Sequence, residues 1–109
     1  MSNDVVDLLN YINGEFRPAL CDHWIDDLAP ATGQLIARIP CSDHRDIDKA
    51  VQAARNALPD WSILTHAERA DWLDKIADAL EARAEEVAQR ESIDAGKTIS
   101  LARAVDAAR

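Results

Sequence analysis

Behind a possible Ser42-Asp43 cap, Ile47, Ala50, Val51, Ala54 and Leu58 recur at three-and-four spacing. A run of that period commits its segment to an amphipathic helix with one apolar face. Ahead of that cap the chain is cut by turn residues into pieces that read as strands. Asn13-Gly14 is the strongest two-residue hairpin signal, and Tyr11, Ile12 and Phe16 flank it with strand-favouring side chains. Residues 8–20 therefore read as a hairpin, which Pro18 brings to an edge. Trp24-Ile25 begins a second extended piece, which Ala29-Pro30 interrupts. After the Thr32-Gly33 turn, Leu35-Ile36-Ala37-Arg38-Ile39 resumes as a strand closed by Pro40.

The first helix is expected to end near Pro59, before a linker that holds Trp61. Thr65-His66-Ala67-Glu68 then has the spacing of a capping box, in which hydroxyl and carboxylate each satisfy a backbone donor. Ala70, Leu73, Ile76, Ala77 and Leu80 continue the apolar stripe, and helix is expected to about Asp94 with a break near Arg83. Asp71 with Lys75, and Glu86 with Arg90, stand one turn apart on solvent faces. Gly96 is placed to stop that helix in a left-handed conformation. Ser100 is placed to cap another, carrying Leu101, Val105 and Ala108. A stripe still open at Arg109 leads us to expect a segment of a longer protein. The fold class expected is α/β, as an α+β fragment. An N-terminal β-hairpin and short strands precede two to three amphipathic helices, in one partial domain over residues 1–109.

Apolar residues make up 48% of the 109, but aromatics only 5%. Alanine supplies much of the apolar count, so each buried position contributes little at about 25 cal/mol per Å². Marginal stability in isolation is expected. Twenty acidic against 12 basic residues give a formal charge of -8, which disfavours phosphate backbones and anionic membrane surfaces. No nucleic-acid partner is expected. The first nine residues lack a basic leader region, and no uncharged apolar stretch is long enough to cross a bilayer, so we expect no membrane partner and a cytoplasmic location. Cys21 and Cys41 are too few and too irregularly placed for a disulfide framework and read as reduced thiols.

Cys21-Asp22-His23 and Cys41-Ser42-Asp43-His44 supply two sulfurs and two imidazoles, but not at zinc-finger spacing. The helix start near Cys41 favours a thiolate, whereas Asp43 and Asp46 oppose it. Gly14, Gly33 and Gly96 are isolated and form no phosphate-cradling loop. Asp26-Asp27 and Glu85-Glu86 have no adjacent apolar pocket to separate their pKa values and read as solvated. Trp24, Trp61 and Trp72 read as core or staple residues.

Four pieces stand in a fixed order: Tyr11-Ile12-Asn13-Gly14-Glu15-Phe16; Pro30-Ala31-Thr32-Gly33 before Leu35-Ile36-Ala37; Asp48-Lys49-Ala50-Val51-x-Ala53-Ala54-Arg55; and Asp94-x-Gly96-Lys97. That order and spacing resembles the N-terminal segment of the NAD(P)-dependent aldehyde dehydrogenase superfamily, from about Leu8 to Arg109. The tail from Gly96 to Arg103 looks like the members acting on hydroxymuconic and aminomuconic semialdehydes, although Ala29 and Thr98 stand where the family commonly has Asn and Pro. The resemblance implies an oxidoreductase that converts an aldehyde to an acid with NAD or NADP, in a parent that is a homo-oligomer. It also implies that the cysteine nucleophile, the glutamate base and the cofactor loops lie in later sequence. This chain would then hold no catalytic or cofactor-binding residue and be inactive alone.

The resemblance implies one site here. A monovalent cation would be held by the backbone carbonyls of Asp27 and Leu28 and by the Asp94 carboxylate, oxygen ligands that suit a hard ion. Asp94 reads equally as a plain helix C-terminal residue. The rival to a dehydrogenase segment is a non-enzymatic interaction module that uses the open helical stripes.

Overall fold

The computed structural model describes residues 5–106, so the expectations for Ala108 and Arg109 lie outside the described residues. The described chain forms two compact units. One takes in the residues up to Asp27 with Leu35–Ile63, and the other Leu28–Gln34 with the residues from Leu64 onward.

The first unit contains the turn-punctuated strands. β2 (Asn10–Ile12) and β3 (Glu15–Arg17) pair antiparallel, with Tyr11 opposite Phe16. Asn13 and Gly14 both take positive φ, 55° and 80°, which the two-residue turn requires and which these residue types tolerate best. The Tyr11 and Phe16 rings meet at 4.9 Å, yet both stay exposed. A separate three-stranded sheet has the order β1-β5-β4, from β1 (Val6–Asp7), β4 (Trp24–Leu28) and β5 (Leu35–Pro40). β1 runs parallel to β5, with Val6 opposite Ala37. The Asp7 carboxylate accepts two bonds from Arg38, each 2.7 Å, and this pins that register. Arg38 also lies 5.6 Å from the Trp24 ring centre.

α1 (His44–Ser62) starts where the cap predicts: Asp43 accepts from the Arg45 N–H, and Asp46 accepts from the Asp43 N–H. It does not end at Pro59. Proline's missing N–H costs one bond, but its carbonyl still accepts from Ile63 N–H at 3.3 Å and from Ser62 Oγ at 2.9 Å, so the last turn closes around it. Trp61 thus lies in helix, not in a linker.

The second unit is helical. α2 (His66–Glu81) carries the predicted capping box: Thr65 N–H donates to Glu68 at 2.8 Å, and Glu68 N–H to Thr65 Oγ1 at 3.3 Å. The break falls at Ala82-Arg83, and α3 (Ala84–Ala95) stops at Gly96, whose φ is 69°. A Cβ there would also stand 3.2 Å from the Pro30 Cβ, so Gly96 serves both the cap and a close approach. α4 (Ile99–Leu101) begins after Thr98, not Ser100, because the Leu101 and Ala102 N–H groups both reach the Thr98 carbonyl. A π-helical segment, Ala102–Asp106, follows and packs on α3.

Core is scarce. Among the described residues the buried apolar side chains are Ala29, Ala37, Ala88 and Ala102. Of the tryptophans expected as core or staple residues none is buried: Trp61 and Trp72 are 41% and 51% exposed, and Trp24 is half-buried. Within α2 every residue except Arg69 is exposed, including Leu73, Ile76 and Leu80. The helical period holds, but a stripe is buried only when something lies against it. Lys75 does not pair with Asp71 either; its Nζ sits 4.4 Å from the Trp72 ring centre.

Candidate functional site

The turn at Pro30 is built by Ala29, whose N–H donates to the Gln34 carbonyl and whose own carbonyl accepts from Thr32 and Gly33. Three bonds on one alanine fix the backbone, and Ala29 is buried. Leu28, the last residue of β4, precedes it and is exposed. Asp27 is half-buried in the same strand but is grouped with the first unit. Asp94 lies in the last turn of α3, exposed. In the second unit the Gly96–Pro30 approach brings the end of α3 beside the turn that Leu28 leads into.

Lys97, next after Gly96, anchors the densest polar cluster. Its Nζ donates to Glu91 at 2.6 Å and to Asp106 at 3.0 Å, while its carbonyl accepts from Ser92 Oγ at 2.7 Å. The two carboxylates raise the Lys97 pKa, Glu91 most. Nearby, Arg103 reaches both Glu85 oxygens, at 2.9 and 2.6 Å. Those bonds, with a further one from Gln89, hold Glu85 down to about 2. Residue spacing alone did not reveal Lys97 as a hub, because its partners are six and nine positions away.

In the first unit, Asp46 is the only buried charged residue among the described residues, 4% exposed. Its carboxylate accepts from Leu20 N–H at 3.1 Å and from Asp43 N–H at 3.1 Å. Capping-box spacing from Asp43 to Asp46 signals the bond to the Asp43 N–H, but not the burial of Asp46 or its bond to Leu20. Asn10 Nδ2 donates to Ser42 Oγ at 2.8 Å, joining the hairpin to the same junction. Asp43 is lowered to about 2, chiefly by its side-chain bond to Arg45.

Cys21 and Cys41 are free thiols, and the Cys21 thiol donates to the Cys41 carbonyl. They do not assemble with His23 and His44 into a metal centre, since among the described residues no group of three or more His, Cys, Asp or Glu could hold a metal ion. An open cleft between the hairpin tip and α1 is lined by Tyr11, Ile12, Asn13, Gly14 and the alanines at 50, 53, 54 and 57. That lining offers no acid–base pair and no donor array for a dinucleotide phosphate. Gly14 and Gly33 take positive φ in turns. Among the described residues no helix is long and apolar enough to cross a membrane.

Residues 18–109 match the aldehyde dehydrogenase family. The chain is 46% identical over 111 residues to the 2-aminomuconic semialdehyde dehydrogenase of Danio rerio, an alignment covering 100% of this chain and 22% of that protein. The crystal structure of PnpE in complex with nicotinamide adenine dinucleotide superposes with a TM-score of 0.88 at 42% identity, over 92% of this chain and 20% of that one. Lactaldehyde dehydrogenase from Escherichia coli gives 0.88 at 39%, over 93% and 21%. The chain therefore spans about a fifth of the length of the proteins it matches.

Proposed function

This chain belongs to the aldehyde dehydrogenase family, and from that premise we propose that it forms the amino-terminal segment of an enzyme oxidising an aldehyde to a carboxylic acid. The family match from residue 18 to residue 109 carries this reading. The cofactor would be NAD or NADP, which accepts a hydride from the substrate when bound. The residues of this chain supply scaffold to that reaction: turns, capped helices and apolar faces. The proposed substrate is a semialdehyde of the muconic type, on the strength of the 46% identity to the Danio rerio enzyme. The parent is proposed to be a cytoplasmic homo-oligomer that uses neither nucleic acid nor membrane.

Two measurements test this. The intact mass of the native gene product should lie several-fold above the 12.0 kDa of this chain. The 109-residue chain itself should reduce no NAD with 2-aminomuconic semialdehyde. NAD reduction by this chain above a protein-free blank would overturn the scaffold role.

A monovalent cation is proposed at the Asp27 and Leu28 carbonyls with the Asp94 carboxylate. Support comes from the approach of Gly96 to Pro30 and from the negative end of the α3 dipole at Asp94, which favours a cation. The melting midpoint should rise in potassium or sodium chloride relative to an organic-cation chloride of equal ionic strength. The substitution D94N should remove that difference.

One observation favours a second reading, a non-enzymatic interaction module: Trp72, Leu73, Ile76 and Leu80 on α2 are all exposed. Light scattering separates the two. A discrete dimer with cooperative melting supports a module, and a polydisperse species supports a dehydrogenase segment lacking its cover.

A further inference from the structure

Both cysteines of this chain meet at one place, although they stand 20 positions apart. Cys21 lies in the connection between β3 and β4, half-buried, and Cys41 is the exposed residue directly after β5. Two contacts bring them together: the Cys21 thiol donates to the Cys41 carbonyl, and the Cys41 N–H donates to the His23 carbonyl at 2.9 Å. The Cys21 sulfur thus touches the backbone of residue 41, the residue that carries the exposed Cys41 thiol. The surrounding backbone is already fixed. Leu20 N–H is bound by the buried Asp46, and Asn10 is bound to Ser42, so the residue before Cys21 and the residue after Cys41 are each held from the side. Arg45 is within electrostatic range of Cys21, although its guanidinium is also bound by Asp43.

We propose that Cys21 and Cys41 form a reversible intramolecular disulfide in response to small-molecule disulfides of the glutathione type. The exposed Cys41 thiolate attacks one sulfur of the reagent, expelling the first reagent thiolate and leaving a mixed disulfide. The Cys21 thiolate then attacks the Cys41 sulfur and expels the second. Two electrons pass from the protein sulfurs to the reagent, whose two thiolates take up the two protons. Reduction by excess free thiol reverses both steps. The bond would staple the β3–β4 connection to the β5–α1 junction, replacing the thiol–carbonyl hydrogen bond by a covalent link.

The test uses the 109-residue chain in buffers of oxidised and reduced glutathione. Trypsin does not cut between Arg17 and Pro18, so Cys21 falls in the peptide ending at Arg38 and Cys41 in the peptide Ile39–Arg45. Mass spectrometry should find these two peptides linked in monomeric protein. The ratio of linked to reduced protein at a fixed glutathione ratio should be roughly tenfold higher in buffer than in concentrated urea, because the fold holds the thiols together. Each of C21S and C41S should instead carry one glutathione on the remaining thiol. Three results would overturn the proposal: equal linkage in urea and buffer, glutathione on both cysteines without linkage, or linkage only between chains.

Discussion

Where the hairpin meets α1, a buried carboxylate does the joining: Asp46 accepts from the Leu20 and Asp43 amides, and its neighbour Ser42 holds Asn10. Where α3 meets the π-helical segment, the joint is two fully buried alanines, Ala88 and Ala102, flanked by the exposed or half-exposed pairs Arg103–Glu85 and Lys97–Asp106. The first joint depends on direction, since two amides must point at one buried carboxylate. The second depends on close approach, with charges at the rim where water and salt compete. Both units therefore manage with almost no large buried side chain, by different physics.

The substitution D46A strikes hardest at the first joint, because it leaves two amides without their acceptor. It should cost about 3 kcal/mol and raise hydrogen exchange around Leu20 and Asp43 while sparing α3. If α3 loses protection equally, the joints are not separate. A102L in the second unit should cost about 2 kcal/mol by overpacking, with the loss confined to α3 and the π-helical segment. T65A should cost about 1 kcal/mol and fray only the start of α2, which touches neither joint; spread of that effect into α3 would show that α2 and α3 melt together.

The smallest effect is the response to acid. Glu85 and Asp43 are both held at about 2 in the folded chain, below their ordinary values of 4.5 and 3.8. A depressed folded pKa adds stability that is complete above the unfolded value and is lost as pH falls through the folded one. Both units should therefore loosen between about pH 4.5 and pH 2, and neither should respond near neutrality through these groups. R103A should flatten that response in the second unit and R45A in the first, as read by peptide-resolved exchange. A crossed result would break the assignment of each pair to its own unit.

Much of the local chemistry was legible. The hairpin follows from Asn13-Gly14, the α2 start from Thr65 and Glu68, and the α3 stop from Gly96. Pro59 misled, because a proline removes only its own donor, and its carbonyl still closes the last turn by accepting from Ile63 N–H and Ser62 Oγ. The tryptophans misled for another reason: their size marks them for burial, but Trp61 and Trp72 stay largely exposed, and Trp24 and Trp72 are met by the cationic side chains of Arg38 and Lys75. Of the proposed cation ligands, sequence supplied the positions of Asp27, Leu28 and Asp94, while the closeness of Gly96 to Pro30 came only from the fold.

Sequence by itself determined the hairpin turn, the starts of α1 and α2, the stop of α3, the family and the acidic charge, because these are set by composition or by residues within a turn or a short motif of one another. Tertiary structure alone decided that Asp46 is the buried acid, that Lys97 gathers Glu91 and Asp106, and that the two thiols meet. Those outcomes depend on which backbone donors and side chains arrive from elsewhere in the chain. Local spacing carries no record of such encounters.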